Sequence, residues 1–367
     1  MRRHAPQYPE AVKHLAPGFF RNFACAAGAC PDSCCRAGWE IVVDPETLEK
    51  YASLPGEEGD RIRAALKEGE EVLLRQDEDR VCVLLDGDGL CHAQRCFGHE
   101  SLCRVCRDYP RFRREFGGLT EHGLSLSCPT AFRMAAETKP SWDSWEDEGP
   151  VVPNDLDPEV YMPLREGRQL ALGILAEEDR PFWDRLELVW ALARRLQRGL
   201  DGEARVGKAA LRRLSSPIGQ KAVLRNARRY FGTLPWPGLR EGCLMEEAMA
   251  LPRWVGVFTE LEILSPAWGD ELQALRRRLE TGELPGGYLI PDRPEVYSRY
   301  LWCSLFKYWL DAADDGQLLP RVRRSLAMTL LGLAMDRVLP AERSHLQRIS
   351  REIEHCEENL EALLQKL

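Results

Sequence analysis

The sequence predicts a mainly α protein: an N-terminal cysteine-rich metal module with a short β-hairpin, followed by an all-helical domain. Three observations predict it. Ten of the thirteen cysteines fall before residue 129. From residue 159 onward, apolar residues recur at three- and four-residue steps. The chain has 367 residues, 44% hydrophobic and 29% charged, which is an ordinary globular balance over a length that suits about two domains.

The module is expected over residues 1–135. Its opening run, MRRHAPQYPEAVKHLAPGFF, is basic and lacks a signal peptide's apolar stretch. No window reaches the roughly 18 apolar residues of a membrane span, so a cytoplasmic location and no membrane partner are expected. In GWEIVVDPETLEKYASL, residues 40–43 read as a short strand. A helix then opens at Asp44-Pro45, an N-cap followed by a proline at the first helical position. The charged stretch 57–80 predicts a helix over RIRAALKEGEEVL. VCVLLDGDGLCHA reads as a hairpin about Asp86-Gly87-Asp88-Gly89, which would set Cys82 beside Cys91.

Residues 136–158 are acidic and proline-rich without periodicity, and read as a linker. The helical domain is expected over 159–367. PFWDRLELVWALARRLQRGL, GQKAVLRNARRYF, PRWVGVFTELEIL, ELQALRRRLETG and VYSRYLWCSLFKYWLDAA all carry the helical step. SLAMTLLGLAM, at 325–335, suits a buried helix. A last helix from about 341 aligns Ile349, Ile353, Cys356, Leu360, Leu363 and Leu367 in one stripe. Trp183, Trp190, Trp254, Trp302 and Trp309 sit at helical spacing among leucines and read as core.

Net charge is −8, which argues against general nucleic-acid binding. RVCRDYPRFRR nonetheless holds five arginines against one aspartate, a patch for one anionic group or a solvated stretch.

Thiols clustered in a reducing compartment are metal ligands before they are disulfides. CAAGACPDSCC places Cys25, Cys30, Cys34 and Cys35 within eleven residues, and Cys103-Arg-Val-Cys106 is a common chelating step. Cys82, Cys91 and Cys128 complete a set of nine. Adjacent side chains diverge, so Cys34 and Cys35 more naturally reach different irons of one cluster, or two centres, than one zinc. Nine thiols are also too many for one four-ligand site. Thiolate suits iron–sulfur and zinc alike. Cys96, Cys243, Cys303 and Cys356 read as buried small hydrophobes. Trp39, just after the Cys34-Cys35 pair, could shield the centre from solvent.

FACAAGACPDSCCRAGW, GLCHAQ, LCRVCRDYPR and SLSCPTA resemble the flagellin lysine-N-methylase family, as does ISREIEHCEENLEALL near the C-terminus. Wider relatives are cysteine-cluster proteins described as zinc- or iron-chelating. The resemblance implies methylation of lysine ε-amines on a protein substrate, flagellin or similar. It also implies S-adenosylmethionine as donor and an iron–sulfur cluster, of the 4Fe-4S type or with zinc as the alternative. Its cysteines match at Cys25, Cys30, Cys34, Cys35, Cys82, Cys91, Cys103, Cys106 and Cys128. The chain departs from the family at Val83-Leu84-Leu85, where Pro-Phe-Leu is expected, and at Cys96.

Methyl transfer needs a deprotonated amine in line with the methyl group and shielded from water. A dinucleotide-type glycine loop is missing, which leaves the donor to an iron with three cysteine ligands or to a pocket among the helices. The radical-enzyme spacing C-x3-C-x2-C does not occur. Arg107 and Arg111 beside Cys106 could pair with the donor's carboxylate, and Asp108 or Tyr109 could take the lysine's proton. Arg107 and Asp108 could instead fix the loop by bonding the cluster's sulfurs. Arg351, His355 and Glu358 share one face of the last helix, as a second part of the site with Arg351 on the donor or as a surface ion-pair network. Rival functions are a non-enzymatic iron–sulfur redox sensor and a structural-zinc adaptor protein.

Overall fold

The computed structural model describes residues 11–148, 155–231, 244, 250–285, 287–340 and 344–367. The fold is mainly helical with a small sheet, and all strands among the described residues lie before residue 149.

Strand β1 (Ala11–Pro17) leads directly into the first cysteine loop. Helix α1 (Pro45–Ser53) opens as expected: the Asp44 carboxylate accepts from the Thr47 amide at 3.2 Å, and Pro45 needs no donor there. The helix expected over 61–73 is shorter and earlier. Helix α2 spans Gly56–Ala64, after which β2 (Leu66–Lys67) pairs with β3 (Leu73–Leu74). Gly69 and the clustered Glu68, Glu70 and Glu71 disfavour a helix across that turn. The strand expected at 40–43 reduces to a single bridge, Val42 to Leu73. The expected hairpin also contracts. Leu85 bridges Cys91, whereas Cys82 bridges Gln76, so the two cysteines are not paired across a ladder. The DGDG turn itself closes, with Asp86 N–H donating to the Leu90 carbonyl at 2.9 Å.

After α3 (His92–Phe97) and α4 (Arg104–Asp108), the arginine-rich segment becomes β4 (Arg111–Phe116). Phe112 and Phe116 turn inward, against Phe306 and Tyr161, while Arg111, Arg113 and Glu115 face out. Gly117, at φ 62°, turns the chain into β5 (Leu119–Leu124). Helix α5 (Pro129–Glu137) follows, then β6 (Trp142–Glu148). The sheet order is β4-β5-β1-β6, with β5 parallel to β1 and the other pairs antiparallel. Part of the expected linker is therefore an edge strand. Acidic residues at most of its positions hide the alternation of a chain paired on one side.

The remaining helices are α6 (Pro158–Ala176), α7 (Phe182–Leu200), α8 (Ala204–Leu214), α9 (Pro217–Phe231), α10 (Leu251–Phe258), α11 (Pro266–Thr281) and α12 (Pro294–Tyr308). After a short turn of helix, α13 (Ala312–Asp315), come α14 (Leu318–Val338), α15 (His345–Ile353) and α16 (Glu357–Lys366). The single last helix expected from 341 is two, broken at Glu354–Cys356; residues 341–343 lie outside the described set. Helix α14 is buried almost throughout, and Trp190, Trp254, Trp302 and Trp309 are fully buried, with Trp183 partly so.

Two hydrophobic cores result. The larger joins the helices and takes in Phe19, Phe23, Leu124, Leu126 and Ala131 from the sheet and cysteine loops. A buried Arg168 on α6 donates to both carboxylate oxygens of Glu121 on β5, one at 2.7 Å, and so fixes the sheet to the helices. The smaller core, Val43, Tyr51, Ile62, Ala65, Leu74, Leu84, Ala93 and Cys103, carries Cys82, Cys91 and Cys106 on its flank.

Candidate metal centre and adjoining cleft

The cysteine segments are brought together by backbone contacts that leave little room for other residues. The Cys82 amide donates to the Cys35 carbonyl at 2.9 Å. A Cβ on Gly28 would stand 2.9 Å from the Asp88 carbonyl, and Gly89, at φ +78°, packs back against Gly28. The CAAGAC loop thus rests on the DGDG turn. Asp44, which caps α1, also accepts from the Arg104 amide at 2.8 Å and sets the turn between Cys103 and Cys106. From the C-terminal side, Gln347 donates to the Ser127 carbonyl at 2.7 Å, beside Cys128. The nine cysteines are free thiols, with Cys103 and Cys128 buried and Cys25 and Cys34 exposed.

The thiols act on one another electrostatically. A hydrogen bond between Cys34 and Cys35 holds the first thiol up and the second down to about 6. A bond between Cys103 and Cys106 lowers Cys103 to about 7 and holds Cys106 well above its usual value. Burial, reinforced by Cys35, Cys91 and Cys103, pushes Cys82 up to about 12. Burial, then Cys30 and Cys25, raises Cys128. Cys35 acts on Cys82 and Cys91, Cys34 feels Cys25 and Cys128, and both Cys34 and Cys35 act on Cys106. Among the described residues, the sets of three His, Cys, Asp or Glu ligand atoms within 4.8 Å of one another are Glu58/His92/Cys96 and Glu262/His355/Cys356, and neither includes one of the nine.

Of the other expected site residues, Tyr109, Arg351 and His355 gather around Trp39, whereas Asp108, Arg111 and Glu358 make separate contacts. Tyr109 is held inward, its hydroxyl 3.0 Å from Ser127 Oγ. Burial, then Cys128 and Cys34, keeps its phenol well above the usual value. Asp108 is largely exposed, with Arg107 Nε 3.8 Å from its carboxylate. Arg111 lies over the Phe23 ring. Arg351 is buried and donates to the Asp32 and Ser33 carbonyls, both at 3.1 Å, just ahead of Cys34. His355 stacks near Trp39, and Glu358 accepts from the Cys356 thiol at 3.2 Å. Trp39 packs edge-on against Tyr109 and donates to the Arg351 carbonyl. Cys96, expected buried, is exposed; Cys303 is half-buried, Cys356 is buried, and Cys243 lies outside the described residues.

Between the Cys34 loop and α15 opens a cleft of about 610 Å³, lined by Arg36, Arg80, Glu271, His345, Arg348 and Arg351 among others. The sequence reading did not single out His345, which lines this cleft. His345 is buried, and its Nδ1 lies 2.7 Å from Asp336 Oδ1, whose other oxygen accepts from Tyr297 at 2.8 Å. His345 Nε2 and Glu271 Oε2 stand 3.9 Å apart, both buried and neither with a hydrogen-bond partner. The available signal was a polar His at the start of an amphipathic helix, indistinguishable from a surface residue without Asp336 and Glu271 placed around it.

No protein-family profile, curated protein or solved structure matches this chain.

Proposed function

We propose that the protein methylates lysine ε-amines on a protein substrate, flagellin or similar, with S-adenosylmethionine as donor. The observation that carries this reading is the pair His345 Nε2 and Glu271 Oε2, two buried acceptors 3.9 Å apart on a cleft beside the thiols. A lysine ammonium, with a pKa of about 10.4 in water, arrives protonated and needs such acceptors. Glu271 receives one N–H and holds the charge. His345 takes a proton at Nε2, because Asp336 accepts from Nδ1–H and fixes the tautomer that leaves Nε2 unprotonated. The lone pair of the neutral amine then attacks the donor's methyl carbon, forming the N–C bond as the S–C bond breaks and S-adenosylhomocysteine leaves with the electron pair. Arg36 and Arg80 offer guanidinium groups for the donor's carboxylate. Arg351 serves differently from the expectation. It binds the backbone ahead of Cys34 and positions the thiol loop.

The nine thiols fit an iron–sulfur group better than zinc. One tetrahedral zinc would draw four sulfurs to ~3.8 Å of one another, and no three of the nine reach such closeness among the described residues. Low-lying Cys35 and Cys103 beside neutral partners are suited to ligate as thiolates. The cluster, when bound, would supply a rigid electron-withdrawing centre within the cysteine segments. Cys25, Cys30, Cys34, Cys35, Cys82, Cys91, Cys103, Cys106 and Cys128 are the residues that would hold it. Such thiols stay reduced in the cytoplasm, where we place the protein. No helix among the described residues is long and apolar enough to cross a membrane.

The test is methyl transfer from radiolabelled S-adenosylmethionine to purified flagellin by anaerobically isolated protein. Label on lysine, lost in H345Q with donor binding retained, is the expected result. Absence of donor binding by the wild type would overturn the reading.

A further inference from the structure

The break between α15 and α16 gathers a second set of donors, away from the nine cysteines. On a regular helix His355 and Cys356 would diverge. Here Cys356 is extended, at φ −115° and ψ 118°, and both side chains turn to the loop after α10. His355 Nε2 is 3.8 Å from a carboxylate oxygen of Glu262. Cys356 Sγ is 3.2 Å from Glu358 Oε2, and one ligand atom each of Glu262, His355 and Cys356 falls within 4.8 Å of the others.

Three features set this apart from a surface ion pair. Both ring nitrogens of His355 are buried without a hydrogen-bond partner, and the nearby Arg351 carbonyl accepts from Trp39 instead. Glu262 is also held in place: its amide donates to Asn359 Oδ1 at 2.9 Å, and Asn359 Nδ2 donates back to its carbonyl at 3.2 Å. The Asn359 amide in turn donates to Cys356 Sγ at 3.4 Å and fixes its position. Arg80 stands 3.9 Å from Glu262.

We infer that Glu262, His355, Cys356 and Glu358 form a mononuclear site for a divalent metal, independent of the thiol module. One sulfur, one imidazole and two carboxylates are a zinc donor set, and a site with four protein ligands is structural. On binding, the Cys356 thiol releases its proton to solvent and the sulfur takes the metal. The ion then ties the loop after α10 to the start of α16. In doing so it steadies α15, whose Arg351 and Gln347 grip the backbone beside Cys34 and Cys128.

The experiment is zinc and iron counting on full-length protein isolated anaerobically from zinc-supplied cells, together with zinc-edge absorption spectroscopy. We expect about one zinc per chain with one sulfur neighbour. C356S and H355Q should lose it while iron and sulfide stay unchanged. E262Q, an exposed position that leaves folding intact, should weaken zinc binding tenfold or more. Equal zinc content in the wild type and all three variants would overturn the inference. So would a wild-type zinc with four sulfur neighbours.

Discussion

His345 is an ordinary residue in sequence and an unusual one in place. Its Nε2 is buried and unsatisfied, a cost that a protein site normally avoids unless a ligand supplies the partner. If it draws the proton from a lysine, H345Q should lower the rate of methyl transfer by about 10²–10⁴-fold. Donor affinity should change little. A variant as active as the wild type would exclude His345 as base. Glu187 offers a residue-scale test of stability. Burial raises its carboxyl from 4.5 to about 7, against the Leu244 amide that donates to it at 2.9 Å. The folded chain keeps this proton where the unfolded chain loses it, so the contribution is complete below pH 4.5 and disappears as pH rises through about 7. The shift corresponds to about 3 kcal/mol. Denaturation of wild type and E187Q between pH 4.5 and 8 should show the wild type losing about that much relative to the variant; parallel curves would contradict it.

At the scale of elements, the Arg168–Glu121 pair joins β5 to α6 in a fully buried setting. Removing one partner strands a charge, so R168M should destabilise the protein by about 3–5 kcal/mol in chemical denaturation. R168M combined with E121Q should recover part of that loss. A change below about 1 kcal/mol in the single variant would show that the pair does not secure the sheet. The same elements show where sequence periodicity is informative. Helices α7, α12 and α14 were legible because whole faces or whole circumferences are apolar over many turns. Strand β6 was not, because Asp143, Glu146 and Asp147 interrupt its aromatic positions and its pairing partner lies 130 residues away. β4 was read as an arginine patch; its inward Phe112 and Phe116 carry the strand signal instead. The break between α15 and α16 was hidden by an apolar stripe that continues across it, since Ile353, Cys356 and Leu363 stay buried on both sides.

For the whole molecule, chain ends distant in sequence meet at one place: α15 holds the backbone beside Cys34 and Cys128. That ten cysteines crowd into residues 25–128 was legible from the sequence alone. The cleft was not, because its walls come from four separate stretches, around Arg36, Arg80, Ser265 and His345, which no local pattern relates. The smaller core, eight residues flanked by three of the thiols, is small for independent stability. Metal removal should therefore loosen residues 41–106 first. Hydrogen exchange after anaerobic chelation should show lost protection there, with α12 and α14 still protected; uniform protection before and after chelation would contradict a metal-held module.

The most direct test is iron and acid-labile sulfide content with a visible spectrum on protein purified without oxygen. Near-equal iron and sulfide with a broad absorbance that bleaches on reduction is the result predicted from the spacing of the nine thiols. Zinc at the nine thiols without sulfide would contradict the cluster.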